Sequence, residues 1–407
     1  MIKIWLSKHS LVRRILWSCL IVFIFLLGKG LPSPFLNLKE VIYFELTTNT
    51  QKILVLSSGD QVSLFGLSIG PWMSATIIMS VLGQLKAFGL NRQSQSRLGR
   101  IQLFLTLIIA LLQAVVTVNQ LPKLLIYNNL SQFYEVIMLI AGAFLVMWLC
   151  NMNAKYGLGG STLLVMINIL QSGVDGLKSS NLLQTLSIWQ QVELGCTFIS
   201  VLMVFTWLNV FFDRSEVRLP LIRLLSDDNN LKLSYVPIKL IPAGGMPLMF
   251  AFAFMSIPIY LIKFLIIFFP NIKELRILLK NCQLNTVSGV IIYCVIIFGL
   301  SLMFAFINTN PHQQMRNFKF NGDYLRGVTP GTQTERYLRK QIWKSGLFGA
   351  IFLTVIAGFP VFWGVGNSSN TQITMLPGIV MMEIGFGMMM LDQIKSIMLK
   401  SQYKSIV

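Results

Sequence analysis

Hydrophobic positions in this chain gather into long runs instead of alternating with polar ones. Ten runs stand out, at about 15–31, 67–85, 101–120, 132–152, 160–176, 193–212, 242–268, 287–308, 342–363 and 373–392. Runs near twenty residues are long enough to cross a bilayer as helices, which satisfy their own backbone hydrogen bonds there. A membrane β-barrel would show two-residue alternation, so strand pairing is not expected. The pattern predicts an all-α polytopic membrane protein with ten transmembrane helices. The fifth run is short and polar, the seventh opens on IPAGGMP (241–247), and the tenth contains Pro377 and Gly378.

The second run is a poor anchor. Its lead-in, LSSGDQVSLFG (56–66), carries Ser57, Ser58, Gly59, Asp60, Gln61 and Ser63, and Gly66, Gly70 and Pro71 interrupt the start of the apolar run itself. Broken backbone at membrane depth is tolerated only inside protein or beside a water-filled cavity. The segment points to a pore, a substrate path or a gate.

Composition narrows this picture. The chain has 407 residues, 54% hydrophobic and 12% charged, against about 25% charged in soluble domains. The net charge of +18 would suggest nucleic acid in a soluble protein. Here no basic–aromatic interleaving supports that, and no nucleic-acid partner is expected. Loops on the N-terminal side hold 24 Lys and Arg, and the opposite side holds 7. Such a bias puts both termini in the cytoplasm. The first run follows Arg13 and Arg14 and ends at Gly28-Lys29-Gly30 without a small-x-small cleavage site. It is expected to be a membrane helix, not a cleaved signal peptide. Lys29 and Lys263 can snorkel from span ends and are given no role in transport.

The five cysteines form no CxxC pair, and the only histidines are His9 and His312. Neither a disulfide nor a metal site is expected. No GxxxxGK[ST] or HExxH motif is present, and no catalytic residue or cofactor is assigned.

Five stretches, taken in order, carry a family resemblance. They are SSGDQVSLFGLSIGPWMSATIIMSVL (57–82), MWLCNMNAKYGLGGST (147–162), PIKLIPAGGMPLMF (237–250), GVTPGTQTERYLRK (327–340) and SQY (401–403). Collinear across ten runs, they resemble SecY, the channel subunit of the bacterial protein-export translocase. The resemblance implies two pseudo-symmetric five-helix halves around a central pore, here residues 1–176 and 177–407. It implies a plug at Ser57, Ser58, Gly59, Asp60, Gln61, Val62, Ser63, Leu64, Phe65 and Gly66. It implies a lateral gate between helices two and three and helices seven and eight, with gate positions at Ser74, Gln113 and Ile241.

The family narrows its pore with an apolar ring. The matching positions are Ile69, Met73, Thr162, Met166, Met249 and Met382. A hydrophobic constriction gates by dewetting, and methionine's three soft torsions let it adapt to varied shapes. Two cytoplasmic loops, 213–241 and 309–341, mix charges with aromatics and turn formers. They are either solvated positive-inside loops or docking surfaces for a cytoplasmic motor. Arg218, Arg326, Thr329, Arg336, Arg339 and Lys340 are the docking candidates.

Departures from the family pattern favour one branch. Thr329 stands where the loop tip usually carries arginine, and Ile241 where helix seven usually carries asparagine. Val407 lies four residues past SQY, so the usual basic tail is expected to be missing. These features resemble the accessory SecY of Gram-positive cocci. That branch implies a bacterial plasma-membrane channel with an accessory SecA-type motor ATPase, and small SecE/SecG-like or accessory subunits. Its substrates would be serine-rich, glycosylated surface proteins.

Polar residues inside the runs leave alternatives open. Asn168, Gln171 and Ser172 could wet the path of a glycosylated substrate. Glu383 could face an aqueous funnel, a small partner subunit or a coupling ion. Competing functions are a housekeeping SecY channel and, in another class, a secondary transporter for a small solute.

Overall fold

A computed structural model of the chain describes residues 10–31, 33–34, 63–84, 94–120, 129–179, 200, 203–223, 235–325, 327–365 and 374–403. Its helices are α1 (Ser10–Gly30), α2 (Gly70–Gln84), α3 (Gln95–Gln120), α4 (Asn129–Tyr156), α5 (Gly160–Ser179), α6 (203–214), α7 (Met246–Phe268), α8 (Lys273–Cys282), α9 (Val287–Thr309), α10 (Pro311–Asn321), α11 (Thr332–Trp363) and α12 (Leu376–Tyr403). Among the described residues, α1, α3, α4, α7, α9 and α11 are long and apolar enough to cross a membrane, and α2 and α5 are shorter apolar helices. Large apolar side chains such as Phe23, Phe104, Trp207 and Trp363 face outward, as expected where the surrounding solvent is lipid.

Packing runs α1 on α4, then α2 on α3, α3 on α4 and α4 on α5. Farther along the chain, α9 packs on α7 and α11. Two helices tie these groups together: α7 packs on α2 and α3, and α12 packs on α1, α5, α7 and α11. One apolar core runs through the centre, from Ile21 and Phe25 of α1 through Met249 of α7 to Met382 and Phe386 of α12.

The expectation of no strand pairing is overturned outside the membrane region. The loops 213–241 and 309–341 contribute β1 (Glu216–Arg223), β2 (Tyr235–Lys239) and β3 (Asp323–Leu325), a three-stranded sheet in the order β2-β1-β3. Both pairings are antiparallel; Val217 lies opposite Ile238, and Leu221 opposite Leu325. The signal was local alternation: Leu219 and Leu221 are buried while Pro220 between them is exposed. Leu219, Leu221, Ile238 and Leu325 pack with Leu338 and Ile342 of α11, so the sheet is seated on a helix extending out of the membrane region.

The YGLGGST motif is a tight helix junction. Asn153 at the end of α4 donates through Nδ2 to the carbonyls of Leu158 (2.8 Å) and Gly160 (2.6 Å). Its Oδ1 accepts from Ser18 Oγ of α1 at 2.9 Å. Gly159 and Gly160 have φ of +71° and +55°, a region open to glycine at no steric cost. Gly159 N–H donates to Gln393 Oε1 of α12 at 2.8 Å.

Candidate functional site

The broken lead-in to α2 is built from successive tight turns. Gly66, Ser68 and Gly70 donate backbone N–H bonds to the carbonyls of Ser63, Phe65 and Leu67 at 2.9, 2.7 and 3.3 Å. Ser68 has φ +45°, unusual for a residue with a Cβ, and it marks the change from turns to helix. Pro71 then sits in the first turn of α2, where its missing N–H breaks no helical bond. Positions 57–62 of the expected plug lie outside the described residues; Ser63, Leu64, Phe65 and Gly66 lie inside them.

These last four residues are held firmly. Leu64 N–H donates to Leu31 O at 3.0 Å. Phe65, 4% exposed, stacks on Phe25 of α1 with ring centroids 6.2 Å apart. A Cβ on Gly28 would strike the Phe65 ring, and one on Gly142 of α4 would strike the Leu64 carbonyl. Two glycines on α1 and α4 thus make the seat.

Immediately after this seat come Ile69 and Met73, each 2% exposed. They share the central apolar cluster with Met249 and Met382, and Met166 packs against it. Thr162, partly buried, donates its hydroxyl to Gly159 O within the helix junction. Met249 and Met382 flank a close helix contact, because a Cβ on Gly245 would lie 3.3 Å from the Met382 Cα. Gly244, with φ +59°, turns the chain into α7, and Asn308 Nδ2 of α9 donates to Pro242 O at 3.0 Å.

Of the gate positions, Ser74 on α2 and Gln113 on α3 are buried at 0% and 1% exposure. Ser74 Oγ and Gln113 Oε1 have no hydrogen-bond partner among the described residues. Leaving a buried polar atom unpaired costs about 1–3 kcal/mol. Ser301 on α9 carries a third such atom, which sequence reasoning missed. Ile241 is buried in the central apolar cluster and also lies against Gly349 of α11, where a Cβ would come 3.3 Å from its Cγ2.

In the loops, Arg218, Thr329, Arg336, Arg339 and Lys340 are exposed. Arg336, Arg339 and Lys340 are spaced to share one face of α11. The Arg218 guanidinium lies 4.8 Å from the Tyr235 ring centroid. Arg326 lies outside the described residues.

The buried cation was not foreseen. Lys29 does not snorkel: it is 7% exposed. Its ammonium donates to Asn168 Oδ1 (2.7 Å) and Gln171 Oε1 (2.8 Å) of α5. Charge-assisted bonds contribute about 1.5–3 kcal/mol each, which offsets desolvation of the charge. Ser68 Oγ donates to the same Asn168 oxygen at 3.4 Å. Glu135 of α4, 1% exposed, accepts from Ser33 Oγ. An ionisable residue within an apolar run was the available signal for both. Glu383 is half-buried on α12, and neither carboxyl oxygen has a hydrogen-bond partner among the described residues.

Known proteins share this architecture. The family model described as SecY matches residues 63–385. The accessory Sec system protein translocase subunit SecY2 of Leuconostoc gelidum subsp. gasicomitatum is 30% identical over 98% of this chain and 97% of its own length. Its counterpart in Streptococcus gordonii is 30% identical over 98% of both chains. A solved protein-conducting channel aligns with a TM-score of 0.70 at 16% identity, covering 98% of this chain and 95% of the other. The fold is that of a helical protein-conducting channel, the chain is a multi-pass membrane protein, and it belongs to the SecY family, with relatives on the family's accessory SecY2 branch.

Proposed function

We propose that this protein is the pore subunit of an accessory Sec translocase that passes selected secreted surface proteins, serine-rich and glycosylated, across the bacterial plasma membrane. In this reading ten helices span the bilayer in two halves, 1–176 and 177–407, with both termini cytoplasmic. Residues 57–66 form the plug. Ile69, Met73, Thr162, Met166, Met249 and Met382 line the constriction. The seam between α2 and α3 on one side and α7 and α9 on the other is the lateral gate. A SecA-type ATPase docks on the sheet and on the basic face of α11 and supplies the work, so the channel itself catalyses no bond change. Small SecE/SecG-like subunits complete the complex.

One observation carries the reading most. The only broken lead-in among the described helices that is wedged under two glycines opens directly onto Ile69 and Met73, in one buried apolar cluster with Met249 and Met382. A small-solute carrier would instead present converging polar ligands to its solute, whereas the polar groups beside this cluster, Ser68, Asn168 and Gln171, are engaged with one another or with the buried Lys29 ammonium. The test places cysteine at Met73 or Met249 and arrests a secretory chain in the channel. Both positions are expected to crosslink to it. No crosslink, despite verified insertion of the chain, defeats the pore assignment. Deleting the gene and comparing secreted surface proteins separates an accessory channel, which loses few substrates, from a housekeeping one, which loses most.

A further inference from the structure

Residues 63–66 close the proposed plug and 67–69 join it to α2, so opening the channel bears on this whole stretch. The glycines suggest a pivot at Gly66–Gly70, but the packing argues otherwise. Every part of this stretch has a fixed partner. Leu64 bonds Leu31 at 3.0 Å, Phe65 is trapped between Phe25 and the Gly28–Gly142 seat, and Ser68 reaches Asn168 at 3.4 Å. Asn168 is itself pinned by the Lys29 ammonium at 2.7 Å, and Gln171 holds the same ammonium at 2.8 Å. Lys29 sits one residue beyond Gly28, so a single stretch of α1 supplies both the apolar seat and the charge.

We propose that Lys29 is a positioning residue that anchors the root of the plug, so that 63–69 stays seated on α1, α4 and α5 while the channel opens. A charge suits this work better than further apolar contacts. An apolar residue slides along a wet or lipidic wall at little cost, whereas an ammonium in an apolar interior is strongly tied to its two amide oxygens. The root then keeps Ile69 and Met73 in register with the rest of the cluster when the plug leaves. This inference rests on the plug reading proposed above.

Two measurements on the purified, reconstituted full-length channel test it. In the first, Leu31→Cys and Leu64→Cys are joined in a background lacking the native cysteines. The 3.0 Å backbone hydrogen bond from Leu64 to Leu31 brings the two residues side by side, the proximity a disulfide needs. Export is expected to continue within about twofold of the reduced form. Export that stops on oxidation and returns on reduction overturns the proposal, since the root would then have to move. In the second, ion leak through the idle channel is recorded. Lys29→Met is expected to raise it about tenfold, and Lys29→Arg to leave it within about twofold of the parent. A sealed, folded Lys29→Met channel overturns the anchor. Deletion of 57–62 separates the two readings. A leaky deletion beside a sealed Lys29→Met removes the anchor alone, whereas a sealed deletion removes the plug reading and the anchor with it. The disulfide arm leaves Lys29 in place, so it decides the question even where the charge variant fails to fold.

Discussion

Gly245 and Gly385 meet backbone to backbone where α7 begins against α12: a Cβ on Gly385 would stand 2.9 Å from the Gly245 nitrogen and 3.0 Å from its Cα. Met249 and Met382 each lie about one helical turn from this contact, so the spacing of the two backbones sets how closely those side chains approach. Gly385→Val forces the helices apart. Overpacking of this kind costs about 1–3 kcal/mol. The expected outcome is a lower Tm in detergent together with a higher ion leak through the idle channel. A variant with parental Tm and seal would show that the contact does not govern the constriction.

Ser74 Oγ and Gln113 Oε1 are buried with no hydrogen-bond partner among the described residues, on two helices that both pack against α7, and they weaken the closed packing as it stands. Water would satisfy both once the helices part. The double variant Ser74→Ala with Gln113→Met removes the penalty, about 1–3 kcal/mol per atom, and stabilises the closed seam. Thermal unfolding is expected at higher temperature and the initial export rate is expected to fall. An export rate equal to or above the parent's would count against a gate at this seam.

The three-stranded sheet can be tested apart from the membrane core. Leu221 is 4% exposed and packs in the small cluster that includes Leu338 and Ile342 of α11. Truncating such a leucine to alanine costs about 2–5 kcal/mol, all of it lost from the sheet's attachment to α11. Leu221→Ala is expected to insert normally, as judged by protein level in the membrane fraction, yet to become protease-sensitive in the loops and to export poorly. Intact protease resistance would refute this account of how the loops are held.

Much of this architecture was legible because the bilayer imposes few solutions. Runs of twenty apolar residues are helices there, and the interruption on either side of Ile69 was visible as Ser, Gly and Pro out of place. The sheet was not legible, because Leu219, Pro220 and Leu221 alternate over too few residues to stand out beside long apolar runs. The Phe65 seat was hidden for a different reason. It is made by Gly28 and Gly142, which lie 37 and 77 residues away along the chain, and a glycine announces nothing about which ring will fill its space. Lys29 looked like an interfacial lysine because its position at the end of α1 favours snorkelling; only the placement of α5 beside it reveals two amide acceptors.

That arrangement changes what Asn168 and Gln171 are expected to do. As a wetter path for glycans, their replacement by leucine would slow glycosylated substrates selectively. As acceptors for Lys29, they matter to every substrate. Asn168→Leu with Gln171→Leu strips the buried ammonium of two acceptors, a change worth about 3–5 kcal/mol. Accumulation of folded channel is expected to drop, and export of glycosylated and unglycosylated forms of one substrate to fall by the same factor. Adding Lys29→Leu removes the stranded charge, and an all-apolar replacement of a buried polar set is often neutral or stabilising. The triple variant is therefore expected to recover its abundance. If it recovers abundance and still discriminates against the glycosylated form, the amides act on the substrate directly; equal export of both forms assigns them to Lys29.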